Sequence, residues 1–174
     1  MNELLLNEQI YKRVIQQLLP AAERFVWIAT ADVKDMHVEH TPGNFAPVLA
    51  VFADLVRAGV DVRLIHAKEP GPRFRKDFDR FPELIESGRF ERILCPRNHT
   101  KCVLIDGKLA FIGSANLTGA GMGAKSPKRR NFEAGILTDD QETVDEMIDW
   151  FDRLYLGEFC VKCGRRDVCP DPIV

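Results

Sequence analysis

No run of apolar residues in this chain is long enough to cross a bilayer, which takes about 20. Neither charge dominates: 24 Lys and Arg against 26 Asp and Glu leave a net charge of −2, so an anionic partner has to be met by a local basic patch. The first dozen residues carry Glu3 and the polar run Asn7, Glu8, Gln9 where an export signal would have a basic start and an apolar core. Internal repeats and low-complexity tracts are absent. Histidine is scarce, with four in 174 residues, which limits where acid–base chemistry can sit. The five cysteines are an odd number without an export signal, so reduced thiols in a cytoplasmic protein are expected, with metal binding as the exception. The length suits one compact domain, and 45% apolar with 29% charged residues is ordinary for a globular chain.

What is present is alternation. Leu4, Leu5, Ile10, Val14, Leu18 and Leu19 recur at helical spacing and stop at Pro20. Arg24 to Thr30 and Val60 to Ile65 read as buried strands, and Ala46 to Ala58 reads as an amphipathic helix ended by Gly59. A turn-rich segment around Pro42 and Gly43 separates the first strand from that helix. Arg73 to Ser87 carries helical spacing interrupted at Pro82. Phe90 to Leu94, Cys102 to Asp106, Ala110 to Gly113 and Glu133 to Thr138 are strand-like, and Gln141 to Leu156 is a closing helix. This order predicts a layered α/β domain over residues 1–157, followed by a cysteine-rich tail, 158–174, too short to hold a core of its own.

The segment His99 to Asn116 reads HTKCVLIDGKLAFIGSAN. His99 and Lys101 are two apart on an expected strand and so leave one face; Ser114 and Asn116 share a face in the same way. An imidazole, an ammonium, a hydroxyl and an amide therefore converge at one sheet edge. A phosphodiester needs that set: a nucleophile, and donors for the oxygens that gain charge in the transition state.

These residues resemble the phospholipase D superfamily, whose pattern is H-x-K-x4-D-x6-G-S-x-N. His99, Lys101, Asp106, Gly113, Ser114 and Asn116 all stand at the family spacing, a coincidence on the order of 10⁻⁶ at ~5% usage per residue type. The resemblance implies a mixed β-sheet flanked by helices and a covalent phosphohistidine on His99. It implies that Lys101 and Asn116, with Ser114 nearby, hold the non-bridging oxygens, and that Glu133 accepts from the far imidazole nitrogen. Asp106 and Gly113 are assigned structural roles, and no cofactor is required for catalysis. Chains with a single motif pair into a homodimer sharing one site, because the reaction needs one unprotonated and one protonated histidine together.

Between the motif and Glu133, Lys125, Lys128, Arg129 and Arg130 form a basic cluster suited to a phosphate backbone, or to a solvated loop. Short single-motif members of the superfamily are often nucleases, so a nucleic acid rather than a membrane is the expected partner. The rivals are a phospholipase or phosphatidyl transferase, and a catalytically silent nucleic-acid-binding or sensor module. Cys160, Cys163 and Cys169 form a C-x2-C-x5-C array that resembles, in spacing alone, the iron–sulfur staple of RecB-like nucleases. With Cys95 as fourth ligand it implies a structural 4Fe–4S cluster, with zinc as the alternative. Cys102, on the face opposite Lys101, is expected to be a core residue.

Overall fold

The computed structural model, which describes residues 1–34 and 36–173, gathers the apolar runs into a seven-stranded mixed sheet. In chain order the strands are β1 (Asn2–Leu6), β2 (Phe25–Thr30), β3 (His37–Thr41), β4 (Asn44–Pro47), β5 (Asp61–His66), β6 (Phe90–Leu94), β7 (Cys102–Ile105), β8 (Leu109–Gly113) and β9 (Ala134–Thr138). The helical segment α1 runs through Glu8–Ile10, the π-wound Tyr11–Leu18 and the 3₁₀ turn Leu19–Ala21; α2 (Val48–Arg57), α3 (Pro72–Phe78), α4 (Glu83–Glu86) and α5 (Gln141–Tyr155) follow. The sheet order is β1-β9-β8-β7-β2-β5-β6, and β3 and β4 pair separately. Strands β2, β5 and β6 are parallel, while β7, β8, β9 and β1 each join antiparallel.

Period-two alternation explains how the layers form. Val26 and Ile28 leave β2 on one face and pack with Ile10 and Val14 of α1 and Phe52 and Val56 of α2. Trp27 and Ala29 leave on the other face and meet Val144 and Phe151 of α5. Phe151 is fully buried and stacks on Trp27 with ring centroids 5.1 Å apart. Asp140 caps α5 by accepting from Thr143 N, as an N-cap aspartate does.

Two local expectations change, and the interruption expected at Pro82 is found. Leu4 and Leu5, read as the start of a helix, lie in β1: Leu5 is buried between exposed Leu4 and Leu6, a strand's alternation, and the chain turns into α1 at Asn7, φ 52°. The segment around Pro42 and Gly43 is the β3–β4 hairpin, with Gly43 at φ 74° in its turn. The stretch 73–87 divides into α3 and α4 on either side of Pro82, because proline cannot continue a hydrogen-bonded turn.

Because β7 runs antiparallel to β2 and β5, its beginning lies beside their ends. The end of β8 and the beginning of β9 lie there too, in register Gly113↔Gly135. That edge collects the whole motif except Asp106.

Candidate active site

Asp106 belongs to the opposite end of β7, in the turn to β8, at φ 57°. Its Oδ1 accepts from Arg24 N at 2.7 Å and Phe25 N at 3.0 Å, and its Oδ2 accepts from Glu23 N at 3.0 Å. The carboxylate thus fixes the start of β2 against β7, in the register Val26↔Ile105.

At the site end, Gly113 leaves no room for a side chain. A Cβ there would lie 2.7 Å from Ala134 O and 2.9 Å from Gly135 Cα, closer than nonbonded contact allows. Gly113 N donates to Lys101 O at 3.1 Å, and Ser114 N donates to Ala134 O at 2.9 Å. These bonds stitch the lysine, the serine and the chain after Glu133 into one surface.

His99 and Lys101, expected on a strand, lie instead in the irregular segment that leads into β7. Buried Asn98 holds that approach: its amide donates to Thr30 O at 2.9 Å and Ile65 O at 3.3 Å, and its Oδ1 accepts from Thr100 N at 3.2 Å. His99 is therefore anchored to the ends of β2 and β5 while its own ring is exposed. Lys101 Nζ stands 3.2 Å from His99 Nδ1 and donates to His99 O at 2.6 Å. Partial burial pushes the lysine's pKa down, against the opposing field of Glu133.

Asn116 is held by its amide oxygen, which accepts from Ala31 N at 3.1 Å and Asp32 N at 3.2 Å. With the oxygen committed to the backbone, the NH₂ group is the end left for a ligand. Glu133 accepts a short hydrogen bond from Ser114 Oγ, and its other oxygen accepts from Asn131 Nδ2 at 3.1 Å. The carboxylate expected on the imidazole thus rests on Ser114 and Asn131, and the imidazole nitrogen Nδ1 faces Lys101 instead. The backbone of Glu133 is fixed by Asn7, whose Oδ1 accepts from Glu133 N at 3.0 Å.

Next to Asn116 a cleft of 720 Å³ opens, lined by Lys34, Lys68, Arg73 and Lys125, with Asn131 also in its wall. Asp32 and Glu69 line it as well, Asp32 lying 3.3 Å from Lys34 Nζ and 3.4 Å from Lys68 Nζ, so among the described residues cations outnumber anions by four to two. Of the expected basic cluster only Lys125 reaches this cleft. Lys128 and Arg129 are exposed, and Arg130 folds back onto Glu8, whose carboxyl is held down to about 2 by Lys12 and Arg130. Lys34, Lys68 and Asn98 were not read from the sequence. The signal for the two lysines is positional: both follow parallel strands at their carboxyl ends, where ligands of open α/β sheets gather.

His66, at the end of β5, is buried and committed on both nitrogens. Nδ1 lies 2.8 Å from Lys68 O and Nε2 lies 3.1 Å from an Arg92 guanidinium nitrogen. Loss of solvation lowers its pKa, opposed by the bond to the Lys68 carbonyl, which fits a neutral ring protonated on Nδ1.

Cys102 is buried, and burial pushes its thiol up to about 12, as a core cysteine's should be. The four tail-associated cysteines do not form the expected cluster. Among the described residues, no group of three or more His, Cys, Asp or Glu side chains is arranged to hold a metal ion. Cys95, Cys160 and Cys163 line one cavity of 250 Å³, but Arg97 lines it with them and donates to Cys163 Sγ at 3.6 Å. Cys169 instead turns its Sγ to Leu94 O at 3.9 Å. A guanidinium supplies positive charge among the thiols where the staple would put a metal.

The family model for the cardiolipin synthase PLD-like domain matches residues 15–155. Cardiolipin synthase of Geobacillus thermodenitrificans is 28% identical over 118 residues, 63% of this chain and 20% of that protein. Cardiolipin synthase A of Pseudomonas putida is 31% identical over 137 residues, 75% of this chain and 25% of that protein. This chain thus spans a fifth to a quarter of the length of these curated relatives. NucT from Helicobacter pylori superposes with a TM-score of 0.63 at 18% identity, covering 88% of this chain and 94% of its own. The phospholipase D family member Nuc from Salmonella typhimurium superposes with a TM-score of 0.60 at 14% identity, covering 87% and 91%. With its sheet edge, its His99–Asn116 motif and a matched span of residues 15–155, the chain belongs to the PLD-like domain family of the phospholipase D superfamily.

Proposed function

We propose that this chain cleaves phosphodiester bonds of a nucleic acid through a covalent intermediate on His99, at a site completed by a second copy. The observation that carries the substrate class is the cleft beside Asn116. Its lysines and arginine come from loops after β2, β5 and β8 and from α3, an arrangement that follows a backbone of successive phosphates better than one headgroup. No helix among the described residues is long and apolar enough to cross a membrane.

In this reading a bound phosphoryl oxygen draws Lys101 away from Nδ1. The ring proton then settles on Nδ1, where Glu133 can accept from it, and Nε2 attacks phosphorus. Lys101 and the Asn116 amide donate to the oxygens that gain charge, each worth roughly 10²–10³ in rate. The leaving alkoxide needs a proton, and His66, buried and doubly bonded, is not placed to give one. In this scheme the second His99 of a homodimer supplies it. An exposed apolar stripe supports that pairing: Leu4, Leu6 and Ile136 share one face of β1 and β9, and Phe132, 97% exposed, adjoins Glu133.

Two measurements test the reading. Wild-type and His99→Ala subunits are mixed and allowed to exchange; activity should fall with the square of the wild-type fraction, and a linear fall would refute the shared site. A labelled oligonucleotide and phosphatidylglycerol vesicles are offered in parallel. The second reading, phosphatidyl transfer, is favoured by the name of the cardiolipin synthase relatives, and uses the same intermediate with an alcohol as acceptor. Lipid product without oligonucleotide cleavage would select it. A silent binding module would bind the oligonucleotide and trap no phosphohistidine.

A further inference from the structure

The cavity shared by Cys95, Cys160 and Cys163 is also walled by Asn98, His99 and Thr100. It is separate from the basic cleft, and nothing in phosphodiester chemistry requires thiols there. Cys163 N donates to Cys160 O at 3.1 Å, closing a four-residue turn. Such a turn holds its end Cα atoms within about 7 Å, which overlaps the range of roughly 4.4–6.8 Å that a disulfide spans. Arg97, two residues before His99, donates to Cys163 Sγ, and Arg165 donates to Pro96 O at 3.3 Å, so the tail grips the His99 approach through both arginines.

We propose that Cys160 and Cys163 form a peroxide-reactive dithiol whose oxidation releases Arg97 and loosens the segment that carries His99. The Cys163 thiolate attacks the distal oxygen of a hydroperoxide. The O–O bond breaks, the departing alkoxide or hydroxide takes a proton from solvent, and a sulfenic acid remains on Cys163. The Cys160 thiol then attacks that sulfur, forming the S–S bond and expelling the oxygen as water. The balance is two thiols and one hydroperoxide in, one disulfide, one alcohol and one water out. A disulfide sulfur carries no charge, so it forfeits the charge-assisted bond from Arg97 that a thiolate keeps. Cys102, buried in the core, stays out of reach.

The test uses the full chain purified with reductant, desalted, and treated with graded tert-butyl hydroperoxide. The expected result is loss of two hydrogens in the intact mass, mapped by peptide analysis to Cys160–Cys163 and reversed by dithiothreitol. Cys160→Ser should stop at a dimedone-reactive Cys163, Cys163→Ser should form no sulfenate, and Arg97→Gln should slow oxidation severalfold. Amide exchange of residues 97–100 should quicken on oxidation and return on reduction. A disulfide from Cys163 to Cys95, or a stoichiometric metal that shields the thiols, would overturn the assignment. Disulfide formation with unchanged exchange would overturn the link to His99. Neither readout depends on turnover, so failure here is distinct from failure of the nuclease reading.

Discussion

Two regions flank His99, and they are held by different physics. On the sheet side, Asn98, Asn116 and Ser114 are fixed by hydrogen bonds to backbone groups in or just after β2, β5 and β9, and the Glu133 backbone is fixed by Asn7, which accepts through Oδ1 and donates through N. On the tail side, residues 158–173 have one short 3₁₀ turn, Arg166–Val168, and rest on arginine side chains and local turns. Backbone-anchored polar groups leave a buried partner unpaired when they are cut, whereas exposed side-chain contacts exchange with water at little cost. The sheet side is therefore built for fixed geometry and the tail for adjustment.

The largest effect expected from breaking the sheet side is kinetic. His99→Ala should lower turnover by about 10³-fold or more with the fold intact, read by steady-state cleavage alongside circular dichroism. Lys101→Ala and Asn116→Ala should follow at roughly 10²–10³-fold. Turnover should survive a brief exposure to EDTA, since Lys101 and the two imidazoles supply the positive charge in this scheme.

Asp106 tests the scaffold rather than the chemistry. Asp106→Ala strands the N–H groups of Glu23, Arg24 and Phe25 at the start of β2 and should cost about 2–4 kcal/mol in denaturant unfolding. On the tail, Arg166→Ala should cost about 0.5–1 kcal/mol, since its bonds to Cys160 O at 3.2 Å and Ile173 O at 3.4 Å are partly exposed. A larger loss for Arg166→Ala than for Asp106→Ala would reverse the comparison.

His66 gives the smallest effect, with a definite sign. Its folded pKa lies below the unfolded value of about 6.5, so the unfolded chain binds more protons between the two. The stability this contributes is whole above pH 6.5 and is lost as pH falls toward the folded pKa. His66→Gln should flatten unfolding free energy between pH 7.5 and 5.5; an unchanged slope would show that other groups set it.

Where periodicity was strong, the sequence was enough: β2, α2, β5, β6 and α5 lie within a residue or two of their expected spans. The adjacent Leu4 and Leu5 satisfy helical spacing as readily as strand spacing, and only pairing with β9 decides between them. The six motif residues were legible because identity and spacing coincide. The cleft was not, since Lys34 and Lys68 stand on loops without a motif and become neighbours only through the parallel pairing of β2 with β5. Cysteine spacing, likewise, reads thiols that meet but not the arginine that stands among them.

The pairing of β1 with β9 joins residues 136 positions apart, Asn2 with Thr138. Closing a contact of such separation shuts a loop of most of the chain, at an entropic cost that grows with loop length. Until it closes, β9 presents an open edge, and Asn7 cannot hold Glu133. The backbone of Glu133 thus draws on the most distant strand pairing in the sheet, while its carboxylate is held separately by Ser114 and Asn131.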